Sequence, residues 1–326
     1  MNFARARASF PLFLVFLLLL SPSLVYSNPD ELVVSSNKLS YRLGATINVS
    51  GSLTTLEGAP ISDGLVAVQV DDPFGGQSII RVMSIGTPPS PKMVRIVNFT
   101  ACDAIGNPKG SFSRGASAFY KITVENFDAI ERQVTVTVNL FDSIGVSIAI
   151  DSISYPVPLG RQVTFGPSSL PIPNDAYPGE AKCYANALTN WPKDGGQPYC
   201  QEAGVNVTIT DGTSPPPGST PLPQTTPGAF SLPFKLPSSA MLGKYNVYAS
   251  ARYNAWDDTA FTYMWLLTDI NTDGEVNIVD ITVAATVFGV AVGDPRYYAP
   301  ADINGDGEIN ILDITAVALD FGKSRL

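Results

Sequence analysis

A 21-residue segment near the C-terminus occurs twice and constrains the fold of that region more than any other feature. D-I-N-T-D-G-E-V-N-I-V-D, from Asp269, recurs 33 residues later as D-I-N-G-D-G-E-I-N-I-L-D, from Asp302, and the segments ending at Gly289 and Gly322 share 14 of 21 positions. Each copy has oxygen-bearing side chains at loop positions 1, 3, 5, 9 and 12 and glycine at position 6, the spacing of a calcium loop. A polar turn without metal is an alternative for one copy, but it is much less compatible with two copies in register.

The repeated loops predict two bound calcium ions. Calcium takes about six to eight oxygen ligands at roughly 2.3–2.6 Å, so a short loop must wrap the ion and offer oxygens from alternate residues. The predicted metal ligands are Asp269, Asn271, Asp273, Glu275, Asn277 and Asp280 in the first loop, and Asp302, Asn304, Asp306, Glu308, Asn310 and Asp313 in the second. The glutamates are expected to bind through their backbone carbonyls and the asparagines at position 9 through water.

A short amphipathic helix is predicted after each loop. Apolar residues recur there at helical spacing: Ile278, Ile281, Ala285 and Phe288, then Ile311, Ile314, Ala318 and Phe321. Gly289 and Gly322 stand where each helix would end. We expect the two stripes to pack on each other about a pseudo-twofold axis, with Tyr297 and Tyr298 helping to cover them.

The C-terminal segment, about residues 266–323, resembles a type I dockerin. Position 12 is Asp where an EF-hand usually has Glu, no amphipathic helix enters the first loop, and a short stretch joins the two copies. The resemblance implies that calcium orders the module and that exposed helix faces bind a cohesin domain. In this family the residues just before the closing Asp carry recognition and are often Ser or Thr. The candidate partner-binding residues here are Ile278, Val279, Thr282, Ile311, Leu312 and Thr315. Packing in the core is an equally good interpretation of Ile278 and Ile311.

The rest of the chain alternates apolar and polar residues at period two, which predicts strands. Pro and Gly number 27 each and charged residues are only 15% of the chain, which also favours strands and turns. Four strands are predicted within residues 28–86, seven within 92–211 and three within 228–266, whereas an immunoglobulin-like sandwich needs about seven. We therefore predict a sandwich of residues 92–211 inserted between the two parts of another, 28–86 and 228–266, with a Pro-rich linker at 212–227. Three tandem domains are the alternative.

The fold class expected is mainly β: immunoglobulin-like β-sandwich domains plus a small α-helical dockerin-like calcium module at residues 267–326. G-A-T-I-N-V-S-G-S-L at 44–53 and G-K-Y-N-V at 243–247 resemble immunoglobulin-like repeats of bacterial surface proteins. The segments at 112–126 and 134–142 are similar to adhesion-related CARDB domains. Both resemblances imply spacer or adhesive modules.

The N-terminal residues 1–27 have the layout of a secretory signal peptide. Arg5 and Arg7 precede an apolar run at 10–20, and Ser27 is a small residue suited to cleavage. The run is shorter than the roughly 20 residues that cross a bilayer, so we expect a secreted, extracellular or cell-surface protein without a permanent membrane span.

Three cysteines and three N-glycosylation sequons bear on an exported chain. Cys183 and Cys200 are a candidate disulfide, although a pairing of Cys102 with either stays open. The sequons begin at Asn48, Asn98 and Asn206, and such triplets are also common by chance.

Charge and composition exclude several function classes. The net charge of -9 disfavours nucleic acid as a partner, and the absence of histidine removes the commonest general base. Asp257-Asp258, Glu180 and Glu202 show no sign of a glycosidase pair, so we expect no enzyme. The first hypothesis is a secreted, noncatalytic surface or adhesion-type protein that docks through calcium to a cohesin-type partner or a neighbouring surface protein.

Two alternatives remain from the sequence. One is a carbohydrate-binding component of a polysaccharide-degrading extracellular assembly, with a glycan as partner. Trp191, Trp256 and Trp265 are candidates for a sugar-stacking platform, although buried aromatic residues are commoner in sandwiches. The other is an adhesin in which the dockerin-like module only caps the neighbouring sandwich of the same chain.

Overall fold

The computed structural model describes residues 30–38, 40–87, 89–211, 220–253, 256–271, 273–304 and 306–324. The predicted signal peptide, 1–27, and residues 212–219 of the predicted linker lie outside these ranges. No helix within them is long and apolar enough to cross a membrane. Strands dominate the chain and the two α-helices both lie near the C-terminus, so the predicted fold class is confirmed.

Seventeen strands precede the C-terminal module in the described residues. In chain order they are β1 (Asp30–Ser36), β2 (Ser40–Tyr41), β3 (Ile47–Thr55), β4 (Asp63–Asp71), β5 (Gln77–Gly86), β6 (Val94–Cys102), β7 (Ser111–Ser113), β8 (Ser117–Asn126), β9 (Arg132–Phe141), β10 (Ser147–Val157), β11 (Arg161–Pro171), β12 (Gly179–Leu188), β13 (Ala203–Thr210), β14 (Gln224–Thr226), β15 (Ala229–Phe234), β16 (Gly243–Tyr253) and β17 (Trp256–Leu266). A 3₁₀ turn, Pro192–Asp194, follows β12.

The first sandwich is built from two separate parts of the chain. One sheet has the order β1-β3-β15-β14 and the other β2-β17-β16-β4-β5. Each sheet therefore contains strands that precede the second sandwich in the chain and strands that follow it. Val49, Val68, Leu232 and Val247 are fully buried between the two sheets. Residues 224–226, which the sequence places in the linker, form β14, because their backbone pairs with β15.

The second sandwich consists of the sheets β10-β9-β12-β13-β7 and β11-β8-β6. Its core takes alternate residues of β8 and β9, such as Ile122 and Val136. The structure does not form the candidate disulfide: Cys183 and Cys200, like Cys102, are free thiols. Both are packed as apolar side chains in this core, and burial raises the pKa of Cys183 and raises that of Cys200 to about 11.

Side chains of the second sandwich cover the open edge of β5. Asn139 Oδ1 accepts from Ile80 N at 3.2 Å, and Glu202 Oε2 accepts from Val82 N at 3.2 Å. Glu202 also forms a 2.6 Å ion pair with Arg81, whose guanidinium lies 3.5 Å from the ring centroid of Tyr184. Because an unpaired strand edge invites association, this contact both joins the sandwiches and protects β5.

The C-terminal module continues directly from the first sandwich. β17 pairs with β2 up to Leu266, and the next backbone amide, Leu267 N, donates to Tyr41 O at 2.9 Å. Trp265 packs against the core of the module. The module is therefore joined to the sandwich by shared strand pairing rather than by a free linker.

Candidate functional site

In the C-terminal module, each predicted calcium loop is hydrogen-bonded to the residues that follow the helix of the other repeat. The module contains α1 (Ile278–Thr286), β18 (Val290–Ala291), β19 (Glu308–Ile309) and α2 (Ile311–Leu319), with a 3₁₀ turn at Ala299–Ala301. Gly322 N donates to Val276 O at 2.8 Å, and Gly289 N donates to Ile309 O at 2.7 Å. Val276 and Ile309 hold the same place in the two loops, so the contacts are reciprocal. This reciprocity is the expected pseudo-twofold arrangement.

The module core uses matching residues of the two repeats. Three equivalent pairs are almost wholly buried: Ile270 with Ile303, Val276 with Ile309, and Ala284 with Val317. Each helix is stopped by a glycine in the left-handed region, Gly289 at φ 77° and Gly322 at φ 84°. Tyr297 packs against this core as expected, whereas Tyr298 is exposed.

The predicted packing of the apolar stripes was wrong. Ile278 and Ile311 are 62% and 61% exposed, and Phe288 and Phe321 are also exposed. Of the two stripes, only Ile281 and Ile314 pack against the core. Each helix instead faces the core with the side that carries its closing aspartate, because that carboxylate binds the loop before the helix.

The closing aspartates, Asp280 and Asp313, are fully buried and tie each loop to its helix. Asp280 Oδ1 accepts from Ile270 N at 2.7 Å and Oδ2 from Asn277 N at 2.9 Å. The corresponding distances at Asp313 are 2.7 Å and 2.8 Å. Position 12 therefore closes the loop in both repeats, as the spacing predicts.

The oxygens at positions 1, 3 and 5 turn into the loop. In the first loop Asp269 Oδ2 accepts from Gly274 N at 3.0 Å, and Asp273 Oδ1 accepts from Glu275 N at 3.0 Å. The second loop repeats this pattern, with 3.0 Å from Gly307 N to Asp302 and 2.9 Å from Glu308 N to Asp306. Asn271 Oδ1 and Asn304 Oδ1 accept in the same way from the amide two residues on, at 2.9 Å and 3.0 Å.

The glycine at position 6 is required by the backbone. Gly274 has φ 104° and Gly307 has φ 91°, values that a residue with a Cβ rarely adopts. This turn lets the backbone of each loop reverse direction within five residues.

The remaining predicted ligands divide into two kinds. Glu275 and Glu308 have exposed side chains, an arrangement that leaves only their backbone carbonyls to face the loop. Asn277 and Asn310 are N-caps, accepting from Val279 N and Leu312 N at 2.8 Å each. Their capping role was missed from the sequence, although Asn followed three residues later by Asp is a capping pattern. Their contact to calcium through water stays a prediction.

The donor set fits calcium. Each loop offers only oxygen side chains, with carboxylates at positions 1, 5 and 12, and calcium prefers such hard ligands. Asp269 and Asp280 are buried carboxylates, and a bound cation would offset the cost of burying their charge. In the described part of the chain no group of three or more His, Cys, Asp or Glu is arranged to hold a metal ion. The carboxylates bind loop N–H groups instead.

Sequence reasoning placed Tyr297 over the helix stripes but missed its bond to the second loop. Tyr297 OH donates to Asp302 Oδ2 at 2.5 Å, and burial together with this bond raises the pKa of Tyr297 to about 12. The phenol thus remains a hydrogen-bond donor at neutral pH. No motif marks it, because Tyr297 precedes the loop and its counterpart 33 residues earlier is Met264, in the core of the first sandwich.

The predicted partner-binding residues are exposed at the start of each helix. Val279 and Leu312 are exposed beside Ile278 and Ile311, so core packing does not explain these four apolar residues. Thr282 and Thr315 are exposed too, although each hydroxyl donates to the carbonyl of residue 278 or 311 at 2.7 Å. We call these two exposed helix starts together, Ile278, Val279, Thr282, Ile311, Leu312 and Thr315, the docking face.

The candidate carboxylates outside the module have structural partners. Asp257 binds Arg252 at 2.8 Å, Glu202 binds Arg81, and Glu180 accepts from Asn206 at 3.1 Å. Asp258 accepts from Leu32 N at 2.8 Å.

The three tryptophans do not form one platform. Trp191 packs at the interface of the two sandwiches and Trp265 against the module core, whereas Trp256 is exposed. The structure therefore does not bring these three candidates together as a sugar-stacking platform.

The similarity to solved structures is low. The C-terminal domain of wzt is 12% identical, with TM-score 0.30, over 38% of this chain and 78% of that one. Alkylpurine DNA glycosylase AlkC of Pseudomonas fluorescens, bound to DNA with an abasic site analog, is 12% identical, with TM-score 0.27, over 37% of this chain and 32% of that one. A β-glucosidase of Listeria innocua in complex with glucose is also 12% identical, with TM-score 0.23, over 36% and 16%. This chain thus spans about a third or less of those two enzymes, and none of the three similarities supports a functional argument.

The family comparison concerns the C-terminal module alone. No curated protein matches the chain. The family model of the dockerin type I domain matches residues 267–319, which include both loops and both helices. Domains of this family bind calcium and dock onto cohesin domains. The C-terminal module of this chain is therefore a type I dockerin domain.

Proposed function

We propose that this protein is a secreted, noncatalytic surface or adhesion-type component that attaches to an extracellular assembly through its dockerin module. The partner is a cohesin-type domain, and docking depends on two calcium ions, one in each loop. The exposed docking face carries this proposal, because four apolar residues there face solvent although the module has a closed core of its own.

Calcium supplies the positive charge that lets the loop carboxylates converge. In the first loop Asp269, Asp273 and Asp280 would hold the ion from positions 1, 5 and 12, with equivalent residues in the second. Asp280 is also bonded to the amides of Ile270 and Asn277, so ordering of the loop positions the start of α1. Metal binding is thus coupled to the shape of the docking face.

The docking face suits a partner with an apolar surface. Removal of apolar area from water contributes about 25 cal/mol per Å², and Ile278 and Ile311 each expose more than half of their area. Thr282 and Thr315 already satisfy their hydroxyl groups within the helix, so burying them leaves no unpaired donor. The four apolar residues therefore supply most of the binding free energy. Thr282 and Thr315 contribute mainly by packing against the partner.

Two features support a noncatalytic role and a partner outside this chain. Each carboxylate considered for acid–base chemistry is bonded to a neighbouring group, and the chain has no histidine. The module meets the first sandwich through Trp265 and β2 rather than through the docking face. Capping of that sandwich therefore does not use the docking face.

A carbohydrate-binding role is the second candidate, and three aromatic residues on the outer face of β16 and β17 favour it. Phe261 is 53% exposed, Tyr263 is also exposed, and the rings of Tyr248 and Phe261 lie 5.2 Å apart. Aromatic faces can stack on the apolar faces of sugar rings. A glycan array with the full chain tests this candidate: loss of a positive signal in Phe261→Ala would support it, and no signal would reject it.

The docking proposal is tested by binding of the full chain to an immobilised cohesin panel, with calcium or with EDTA. We expect binding in calcium, loss in EDTA, and at least tenfold weaker binding of Ile278→Asp/Ile311→Asp. Ile105→Asp is the matched control, because Ile105 is an exposed apolar residue on the second sandwich. Binding that ignores EDTA, or a control that weakens as much as the test variant, would reject the proposal.

A further inference from the structure

The three sequons occupy different places in the sheets. Asn48 lies in β3, which pairs with β1 on one side and β15 on the other. Asn206 lies in β13, which pairs with β12 along its length and with β7 at Thr208. Asn98 lies in β6, which is the end strand of its sheet. Only the Asn98 sequon is therefore on an edge strand of the described sheets.

The side chains of the three asparagines also differ in their partners and exposure. Asn48 Oδ1 accepts from Ser231 Oγ at 2.8 Å, and Asn206 Nδ2 donates to Glu180 Oε1 at 3.1 Å. Asn98 is exposed, and its Oδ1 accepts from the hydroxyl of its own sequon threonine, Thr100, at 3.3 Å. Within the described residues Asn98 Nδ2 makes no hydrogen bond, and the side chain of Asn98 is exposed whereas that of Asn48 is half-buried.

The surroundings of Asn98 leave room for a large hydrophilic group. Across β8 and β11 the same outward face carries polar side chains, among them Thr123 and Thr164, whose hydroxyls are 2.8 Å apart. The neighbouring Val97 is 38% exposed on the same strand. A group attached at Asn98 would therefore lie over a polar sheet face and beside an exposed apolar residue.

The edge of β6 is protected less fully around Asn98 than β5 is at Ile80 and Val82. Amides of β5 are bonded to Asn139 and Glu202 of the second sandwich. On β6, Lys109 N donates to Ala101 O at 3.1 Å near one end, and a bulge lies between Ile96 and Asn98. Bulges and polar groups are common means of preventing association between sheet edges. A glycan on Asn98 would complete that protection.

We propose that Asn98 carries an N-linked glycan and that Asn48 and Asn206 do not. The proposal rests on the export that the proposed function includes. In the transfer, Asn98 Nδ2 bonds to the anomeric carbon of a sugar, and the bond from that carbon to the phosphate of a lipid-linked oligosaccharide donor breaks. The displaced lipid phosphate is the leaving group, one amide proton passes to a base of the transferase, and no atom changes oxidation state.

The test is mass spectrometry of peptides from the full chain made in an N-glycosylating secretory host, behind the host's own leader. We expect a glycan on the Asn98 peptide, its loss in Asn98→Gln and Thr100→Ala, and its retention in Thr100→Ser. Asn48→Gln and Asn206→Gln are matched controls that should leave the glycan mass unchanged. Release of the glycan from the native protein should increase its self-association, as seen by light scattering.

Two results would overturn the proposal. One is an unmodified Asn98 peptide in a host whose own secreted proteins are glycosylated, whether the chain is in the medium or inside the secretory pathway. The other is a glycan confined to Asn48 or Asn206. Cohesin binding in calcium is measured on the same preparations, so failure of the docking proposal is separately visible.

Discussion

The two repeats of the dockerin module have nearly the same internal hydrogen bonds but different neighbours. The closing aspartates bind their loop amides at distances that agree within 0.1 Å, 2.7 and 2.9 Å against 2.7 and 2.8 Å. Outside the loops, Tyr297 binds Asp302 of the second repeat, whereas its counterpart Met264 belongs to the first sandwich. Sequence identity therefore determines loop geometry, while the position of each repeat in the chain determines what surrounds it.

The largest expected effect comes from removing a closing carboxylate. Asp280→Ala leaves the amides of Ile270, Asn271 and Asn277 without their acceptor, so we expect the free energy of unfolding of the module to fall by about 3 kcal/mol. Asp313→Ala should cost the same amount, because its three bonds are equivalent. Urea denaturation followed through the α-helical circular dichroism signal, which comes from this module in the described residues, measures both with EDTA present.

Asp280→Asn and Asp313→Asn are the matched controls for that comparison. Each keeps one carbonyl oxygen as an acceptor and removes the charge, so we expect a smaller loss of stability than for alanine, together with loss of one bound calcium ion by calorimetry. A difference above about 1 kcal/mol between Asp280→Ala and Asp313→Ala would show that the loops are not equivalent.

The second effect concerns a contact that differs between the repeats. Buried Asp320 accepts from the amide and the hydroxyl of Thr268, at 3.3 and 3.0 Å, whereas the counterparts 33 residues earlier and later, Val287 and Ala301, are apolar. Asp320→Val should cost about 2 kcal/mol, because it leaves the Thr268 hydroxyl buried without its acceptor. Thr268→Ala/Asp320→Val, which copies the other repeat, should regain at least half of that loss in urea denaturation. A double variant no more stable than Asp320→Val would contradict this account.

Much of the fold follows from periodicity, because each strand buries alternate residues. The alternating run from Arg132 to Phe141 forms β9, and Gly289 and Gly322 end the helices as expected. The sequence did not predict β14, because its three residues are all exposed and show no alternation of apolar and polar side chains. The free thiols of Cys183 and Cys200 were equally hidden, because spacing does not show whether a cysteine faces the core.

The loop chemistry was predictable from the sequence and the helix faces were not. Ligand spacing places Asp280 at the loop closure, which its bonds to Ile270 N and Asn277 N show. The apolar periodicity from Ile278 to Phe288 indicated a buried stripe, but a short helix of nine residues can present either face to a small core. The need to turn Asp280 inward decided the matter, and this left Ile278 exposed.

The third effect tests whether Tyr297 makes the second loop different from the first. Tyr297→Phe removes one bond to the carboxylate of Asp302, and such a bond is worth about 1.4 kcal/mol, or about a tenfold change in an equilibrium constant. We expect calcium affinity to weaken in the second loop alone, so that a titration resolves two steps further apart than in the parent chain. Tyr298→Phe is the matched control, because Tyr298 is exposed. Equal weakening of both steps would place the effect of Tyr297 in the module core instead.

The smallest effect on the free energy of unfolding is expected at the docking face. Substitutions there should instead weaken cohesin binding. Ile278→Ser and Ile311→Ser each remove an exposed side chain, so the free energy of unfolding should change by less than about 0.5 kcal/mol in urea denaturation. Because the two residues occupy equivalent places in the repeats, each single variant should weaken cohesin binding less than the pair does. Unequal single variants would show that the partner contacts one repeat more than the other, which the similar loop geometry does not require. A loss of more than about 1 kcal/mol in either variant would show that Ile278 and Ile311 contribute to core packing. That result would remove the main support for the docking face.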